Sequence, residues 1–297
     1  VVYKLDRTIG IIGLGNAGSA LAKAFSKKCS VIGYDINPER YNSESLSTIK
    51  LVNSIDELLL NAQIVLLSLP NERASVEVVN DLLLSRKSPE LIIETSTIGP
   101  HTAKEIGGKC KNEGVSFVDA AIGSGVKAMS LGKAVFLVGG NDQDFFFAQS
   151  ILEHVAEAIH HIGETGSGSG LKIINNAVVH SILVVLIEAI TMARKLQIPI
   201  PTLVDLLKGD DGITRPLLHR IEERILEGDY TGGMSVTNAR KDSMLVLETA
   251  YEYGVPLFAI SGSHIPYDIA KDQGLGEKDY ASLATLWESW ANVDLSN

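Results

Sequence analysis

Two clusters of residues in this chain have the types and spacing to do chemistry. The first is Gly13-Leu14-Gly15-Asn16-Ala17-Gly18, a G-x-G-x-x-G run. In such a run the first glycine permits a tight turn and the second lets a pyrophosphate approach the backbone. The third lets the following helix pack closely on the preceding strand. That helix then offers its first amide N–H groups and the positive end of its dipole to phosphate oxygens. About twenty residues after Gly15, Asp35 closes the next apolar run, where a carboxylate can accept both hydroxyls of an adenosine ribose. The charge of Asp35 repels a 2′-phosphate and favours NAD over NADP, although Arg40 would relax that preference if it reached back. The run alone also fits a Gly-rich turn beside an exposed acid. Its place between a strand pattern and a helix pattern gives it meaning.

The second cluster is Gly166-Ser167-Gly168-Ser169-Gly170, followed by Leu171-Lys172-Ile173-Ile174-Asn175-Asn176. Lys172 and Asn176 are four apart and share a helix face. With the helix starting near Leu171, Lys172 falls in its first turn, where the dipole disfavours another positive charge. Partial burial acts in the same direction, and both would lower its pKa toward that of a general acid/base. Asn176 can donate to a substrate oxygen and hold it near the amine. Taken alone, a surface lysine at a helix start and an amide satisfying a buried carbonyl read better.

The elements that must position these clusters follow from hydrophobic patterning. The first half alternates short β-branched runs with helical patterns, which predicts a parallel sheet of βαβ units. Strands are expected at Thr8–Ile12, Ser30–Tyr34, Ile64–Leu69, Leu91–Thr95, Ser116–Asp119 and Ala134–Val138, with a helix at Ala17–Ser26. From Leu171 onward the patterns are helical, with breaks at Pro199–Pro201, Pro216, Gly232-Gly233, Pro256 and Pro266. The expected fold is an α/β N-terminal Rossmann domain, doubly wound and mostly parallel. An all-α C-terminal domain follows, joined by a long interdomain helix. The boundary is placed near residue 165, giving a dinucleotide-binding domain at 1–165 and a helical substrate and oligomerisation domain at 166–297. The helix from about Leu171 to Leu196 is apolar almost all round, which implies burial between domains or subunits.

Composition narrows the function classes. The 297 residues are 45% hydrophobic and 21% charged, ordinary for a globular protein. A formal net charge of -10 argues against nucleic acid or an anionic membrane as the main partner. The longest unbroken apolar run, Ile182 to Ile187, is far short of the ~20 residues of a spanning helix. Cys29 and Cys110 lack metal-ligand spacing, so a reducing, cytoplasmic setting is the default. The chain opens on Val1 and no secretory pattern follows, which leaves a trimmed organellar leader open. The seven histidines form no ligand pattern and no metal is expected. His180, two turns beyond Lys172, reads as a packed or interface residue.

Taken together, the clusters and several further motifs resemble the β-hydroxyacid dehydrogenase family, which includes 3-hydroxyisobutyrate dehydrogenase. Besides the two clusters, the motifs are Leu69-Pro70, Thr95-Ser96-Thr97-Ile98 and Asp119-Ala120-Ala121-Ile122-Gly123-Ser124-Gly125. Lys241-Asp242 and Gly274-Leu275-Gly276-Glu277-Lys278-Asp279-Tyr280 complete them. The resemblance, from Ile9 to about Trp287, implies Lys172 as the catalytic lysine and Asn176 as the substrate-orienting amide. It implies that Leu69, Pro70 and Thr97 line the cofactor path and that Lys241 closes on cofactor and substrate. Gly123, Ser124 and Gly125 would hold a substrate carboxylate. That loop departs from the family's Pro-Val-Ser-Gly-Gly run: the proline is gone and the hydroxyl has moved one place. Lys127 stands just after it, where a small residue is usual, and reads as a solvated lysine.

The implied activity is hydride transfer between the hydroxyl-bearing carbon of a small β-hydroxy acid and NAD, with NADP possible, in a homodimer or homotetramer. An imine reductase of the same fold is the alternative, favoured by the altered loop and opposed by Lys172. A non-catalytic dinucleotide-binding protein is the second alternative, opposed by the presence of both Lys172 and Asn176. Asp211, Arg215 and the Gly232–Asn238 loop could face a cleft or the solvent.

Overall fold

The computed structural model describes residues 6–42, 46–209 and 212–296, so Val1 and Asp211 lie outside the described residues. The chain divides into two compact units, Val1–Ala177 and Val178–Asn297.

The first unit is a doubly wound α/β layer structure. Its strands are β1 (Ile9–Ile12), β2 (Val31–Tyr34), β3 (Lys50–Leu51), β4 (Ile64–Leu67), β5 (Leu91–Glu94), β6 (Ser116–Ile122), β7 (Ala134–Gly139) and β8 (Ala156–Gly163). They form one sheet in the order β3-β2-β1-β4-β5-β6-β7-β8. Pairing is parallel throughout except between β6 and β7. Six strands match the expected ones within a few residues. β3 and β8 were not expected: β3 is a two-residue edge, and Ala-Glu-Ala-Ile-His-His-Ile-Gly lacks the β-branched run that marks the others. Continuous burial of β1, β4 and β5 reflects cover on both faces. Ile9, Ile11, Leu66 and Ile93 point into one core, and Ile12, Val65, Leu67 and Ile92 into the other. The helices are α1 (Asn16–Phe25), α2 (Ile55–Leu59), α3 (Glu72–Leu84), α4 (Pro100–Asn112), α5 (Val126–Ser130) and α6 (Asp142–Leu152).

α7 (Ser167–Lys195) opens in this unit and continues into the next. Its start overturns the expected one. Gly166 lies at φ +95°, and a Cβ on Gly168 would stand 2.3 Å from the Leu137 carbonyl oxygen. The small residues are therefore a close docking of the helix start against β7, and Lys172 falls in the second turn. Only burial, without the first-turn dipole, acts on its charge.

The second unit holds α8 (Ile200–Lys208), α9 (Thr214–Arg220), α10 (Val236–Tyr253), α11 (Ala259–Ala270) and α12 (Ala284–Ala291). No strand occurs there among the described residues, as expected. Pro266 does not break a helix: it sits inside α11. Its buried clusters are small. Asp279 is buried between the Ala281 amide at 2.8 Å and the Arg220 guanidinium at 3.6 Å, and that guanidinium lies over the Tyr280 ring. This accounts for the Asp279-Tyr280 end of the last motif as a structural tie. Glu188, on α7, accepts the amides of Phe258, Ala259 and Ile260 at the start of α11.

The burial expected of α7 is absent within one chain: Ile174, Val178, Val179, Leu183 and Ile187 are each more than half exposed. Contrary to the reading from unbroken runs, α7 is also long and apolar enough, by length and composition alone, to cross a membrane. Lys172, Asn175, Asn176, His180 and Glu188 interrupt it with groups that are expensive in lipid.

Candidate functional site

Because β1, β4, β5 and β6 run parallel, the loops after them share one sheet edge. The strand order reverses between β1 and β4, and ligands of such sheets bind outside the strand ends at this switch point. A groove of about 510 Å³ lies there, bounded by Gly13, Gly15, Asp35, Leu69, Pro70 and Ile36 among others. Asn16 and Ala17 line it as well. The structure thus brings seven of the expected cofactor residues together.

The phosphate loop has the sterics its glycines suggest. Gly13 lies at φ +91°, and a Cβ on it would stand 2.2 Å from the Ser68 carbonyl oxygen. A Cβ on Gly18 would stand 1.8 Å from the Gly13 carbonyl oxygen, whereas one on Gly15 would meet no protein atom within 4 Å. The turn and helix packing are filled by protein, and the space over Gly15 is open. The Leu14 amide donates to Asp35 Oδ2 at 2.7 Å and the Asn37 amide to Oδ1 at 2.8 Å, so the acid is fixed at the groove's edge with lone pairs to spare. A dinucleotide fits this arrangement: amides at a helix start, an open second glycine and an oriented carboxylate. Arg40 also lines the groove.

The groove wall is braced from behind. The Leu69 amide donates to Ser96 Oγ at 2.7 Å, and the Ser96 amide to Glu94 Oε1 at 2.8 Å. Burial pushes the fully enclosed Glu94 carboxyl up. Thr97, beyond Ser96, is exposed and does not line this groove. Neither Glu94 nor the lining residue Ile36 follows from the fingerprint. The signal for Glu94 was an acid closing an otherwise apolar strand.

At the end of β6, Ser124 Oγ accepts the Val135 amide at 3.2 Å, and the Gly123 amide donates to the Val135 carbonyl at 2.8 Å. Both groups are turned toward β7, which leaves the Ser124 proton and the Gly125 amide as donors. Lys127 is exposed, as expected of a solvated lysine. On α7, Lys172 and Asn176 are half-buried among exposed neighbours, and partial burial lowers the Lys172 pKa below the ordinary lysine value. Lys241 belongs to α10 in the second unit, where its ammonium lies 3.2 Å from Asp242 Oδ1. Arg215 is in α9 and the Gly232–Asn238 loop runs into α10. Among the described residues no cluster of metal-binding side chains occurs.

Fold and groove define a dinucleotide-binding protein of the Rossmann class with a helical second part. Residues 8–163 match the family described as the NAD binding domain of 6-phosphogluconate dehydrogenase. Residues 166–287 match that described as NAD-binding of NADP-dependent 3-hydroxyisobutyrate dehydrogenase. The chain belongs to the β-hydroxyacid dehydrogenase family and is an NAD(P)-dependent oxidoreductase. It is 25% identical over 292 residues to the 2-(hydroxymethyl)glutarate dehydrogenase of Eubacterium barkeri, covering 97% of each chain. It is 28% identical over 285 residues to the mitochondrial 3-hydroxyisobutyrate dehydrogenase of Mus musculus, covering 93% of this chain and 85% of that one. Among solved structures it resembles an imine reductase from Myxococcus stipitatus. The TM-score is 0.81 at 19% identity, over 95% of this chain and 99% of that one.

Proposed function

We propose that this enzyme transfers a hydride between the hydroxyl-bearing carbon of a small β-hydroxy acid and NAD, with Lys172 as general acid/base. The observation that carries the reading is a half-buried amine of lowered pKa beside Asn176 on one helix face. In the oxidative direction neutral Lys172 takes the hydroxyl proton, and in the reductive direction its ammonium returns it. Positioned proton transfer of this kind contributes typically ~10²–10⁴-fold. Asn176 orients the reacting oxygen, and the Ser124 hydroxyl and Gly125 amide receive the carboxylate. The nicotinamide, when bound, supplies the hydride acceptor. Asp35 selects NAD, and Arg40 at the same groove leaves NADP accessible. Lys241 and Thr97 are assigned to the cofactor on the family resemblance alone.

The substrate class follows the names of the two relatives, whose substrates both carry a hydroxyl on the carbon next to the one bearing the carboxylate. Absorbance at the nicotinamide band tests it with NAD for 3-hydroxyisobutyrate, 2-(hydroxymethyl)glutarate, serine, glycerate and threonate, and with NADH for tartronate semialdehyde and a cyclic imine, against Lys172→Ala. Turnover of one acid with NAD, lost in the variant, is expected. Turnover only of a cyclic imine would instead support the imine-reductase reading, which the commitment of Ser124 and Gly123 to β7 favours.

The functional boundary is placed near residue 165, at the start of α7. The exposed apolar residues of α7 are assigned to a homodimer or homotetramer, and a monomeric mass by light scattering would refute this. Cys29 and Cys110 are buried free thiols, pushed by burial to about 11 and about 12, in keeping with a reducing, cytoplasmic setting.

A further inference from the structure

Asp119 is the least explained polar residue of the first unit. It interrupts the apolar run of β6, between Val118 and Ala120, at 0% exposure and takes no part in the groove or in the loop after the strand. Its two oxygens are both committed to the start of α7: Oδ1 accepts the Gly166 amide at 2.6 Å and Oδ2 the Ser169 amide at 2.7 Å. The neighbouring backbone is shaped around this contact. A Cβ on Gly139, the Cα partner of Asp119 on β7, would stand 2.6 Å from Asp119 Oδ1 and 2.9 Å from the Gly168 amide nitrogen. A Cβ on Gly166 would stand 2.8 Å from the Pro100 carbonyl oxygen. The start of α7 is therefore held from β6 by a carboxylate and has no room to slide over β7.

We propose that Asp119 is a positioning residue for Lys172: it sets where α7 begins, and with it where the amine one turn beyond Ser169 stands. The inference rests on the reading of Lys172 as general acid/base. Asp119 lies three residues before Ile122, the last residue of β6, and the loop Gly123–Gly125 follows directly. One strand thus carries both the substrate loop and the tether of the catalytic helix, so their separation is fixed by β6 itself. Orphan amides at a helix start need acceptors, and a carboxylate is favoured there by the dipole. Of the acceptors available, only one fixed in β6 also couples the helix to the loop.

The test is a pair of substitutions in a double-mutant cycle with the full chain, NAD and the acid that it turns over. Asp119→Asn keeps size but replaces one acceptor oxygen with a donor that faces an amide N–H. In the Lys172 background it is expected to lower kcat about 10²-fold, the cost of misplacing a catalytic group by ~1 Å, with the NAD dissociation constant unchanged. In the Lys172→Ala background the same change is expected to cost less than about threefold, because residues that act as a unit are not additive. Equal losses in both backgrounds would make Asp119 a support of the fold only and overturn the proposal, as would wild-type kcat in Asp119→Asn. If Lys172→Ala alone retains full turnover, the reading of Lys172 fails, which is a separate result that also removes the ground for Asp119. Should Asp119→Asn not fold, amide hydrogen exchange on the wild-type chain decides. Gly166 and Ser169 protected as strongly as the β6 amides support the tether, and exchange at loop rates overturns it.

Discussion

Gly15 gives the most direct test of what the phosphate loop is for. Its backbone lies at φ -67°, ψ -165°, a conformation open to any residue, and a Cβ there meets no protein atom within 4 Å. Gly15→Ala therefore introduces no clash, and by narrowing the unfolded ensemble it stabilises by about 0.4–1 kcal/mol. The methyl group would occupy the space that the second glycine of the fingerprint leaves to a pyrophosphate. A carbon needs about 3.5–4.0 Å from its neighbours, whereas an amide–phosphate hydrogen bond brings oxygen to about 2.9 Å of the backbone. At least one such bond must be given up, which costs about 1.5–3 kcal/mol for a charged acceptor, or roughly 10- to 150-fold in dissociation constant. Gly18→Ala is the contrasting change: its Cβ would stand 1.8 Å from the Gly13 carbonyl oxygen, and overpacking costs about 1–3 kcal/mol before any ligand binds. Thermal melting without ligand and calorimetric titration with NAD separate the two effects. Gly15→Ala is expected to melt at or above the wild-type temperature and to bind NAD more weakly, while Gly18→Ala melts lower. An unchanged NAD dissociation constant in Gly15→Ala would refute the reasoning, because the open space would then not be the phosphate's.

Three further predictions concern protonation and cofactor choice. Because burial lowers the Lys172 pKa, kcat/KM for alcohol oxidation should rise with pH through an apparent pKa below the ordinary lysine value. For carbonyl reduction it should fall through the same value, and a profile flat up to pH 10 in both directions would contradict the assignment. At Glu188, burial tends to raise the carboxyl, but the amides of Ala259, Ile260 and Phe258 outweigh it and hold its pKa below the usual range. Its stabilisation is present above the unfolded carboxylate value and is lost as pH falls through the depressed folded one. Glu188→Gln should thus destabilise the fold near neutrality by about 1.5–3 kcal/mol, for the bond to Ile260 that it cannot make, read as a lower melting temperature. The difference from wild type should vanish in acid. Arg40→Ala should weaken NADP more than NAD, by less than about tenfold for an exposed charge, as read from the two Michaelis constants.

What was legible in the sequence was what short-range rules control. The G-x-G-x-x-G turn, the acid at the end of β2 and six of the strands follow from local pattern, because each strand buried on both faces is a continuous apolar run. β8 was missed because an outer strand is not required to be apolar, and β3 because two residues carry no period. The start of α7 was misplaced for a different reason. Glycine and serine are poor helix formers, and only the close approach of β7 explains why they are helical here. The roles of Glu94 and Asp119 were likewise hidden, since their partners lie on other elements: Asp119 reaches the Gly166 and Ser169 amides 47 and 50 residues away.

The same distinction bears on the two chemical readings. A likeness of fold to an imine reductase concerns the frame, which the dinucleotide requires in either case. The reactions differ in where a proton must go. An alcohol that loses hydride must also lose its hydroxyl proton, and an oxygen is too weak a base to hold that proton once the carbonyl forms. A nearby base is then needed, and on the proposed reading it is Lys172, half-buried one turn beyond the tethered Ser169, with a pKa lowered by burial. An imine nitrogen is itself basic and arrives with its proton or takes one from solvent, so an amine of lowered pKa would have no demand to meet. On the proposed reading Lys172 is tied to alcohol oxidation, whereas the turning of Ser124 and Gly123 toward β7 is the one feature that favours an imine substrate.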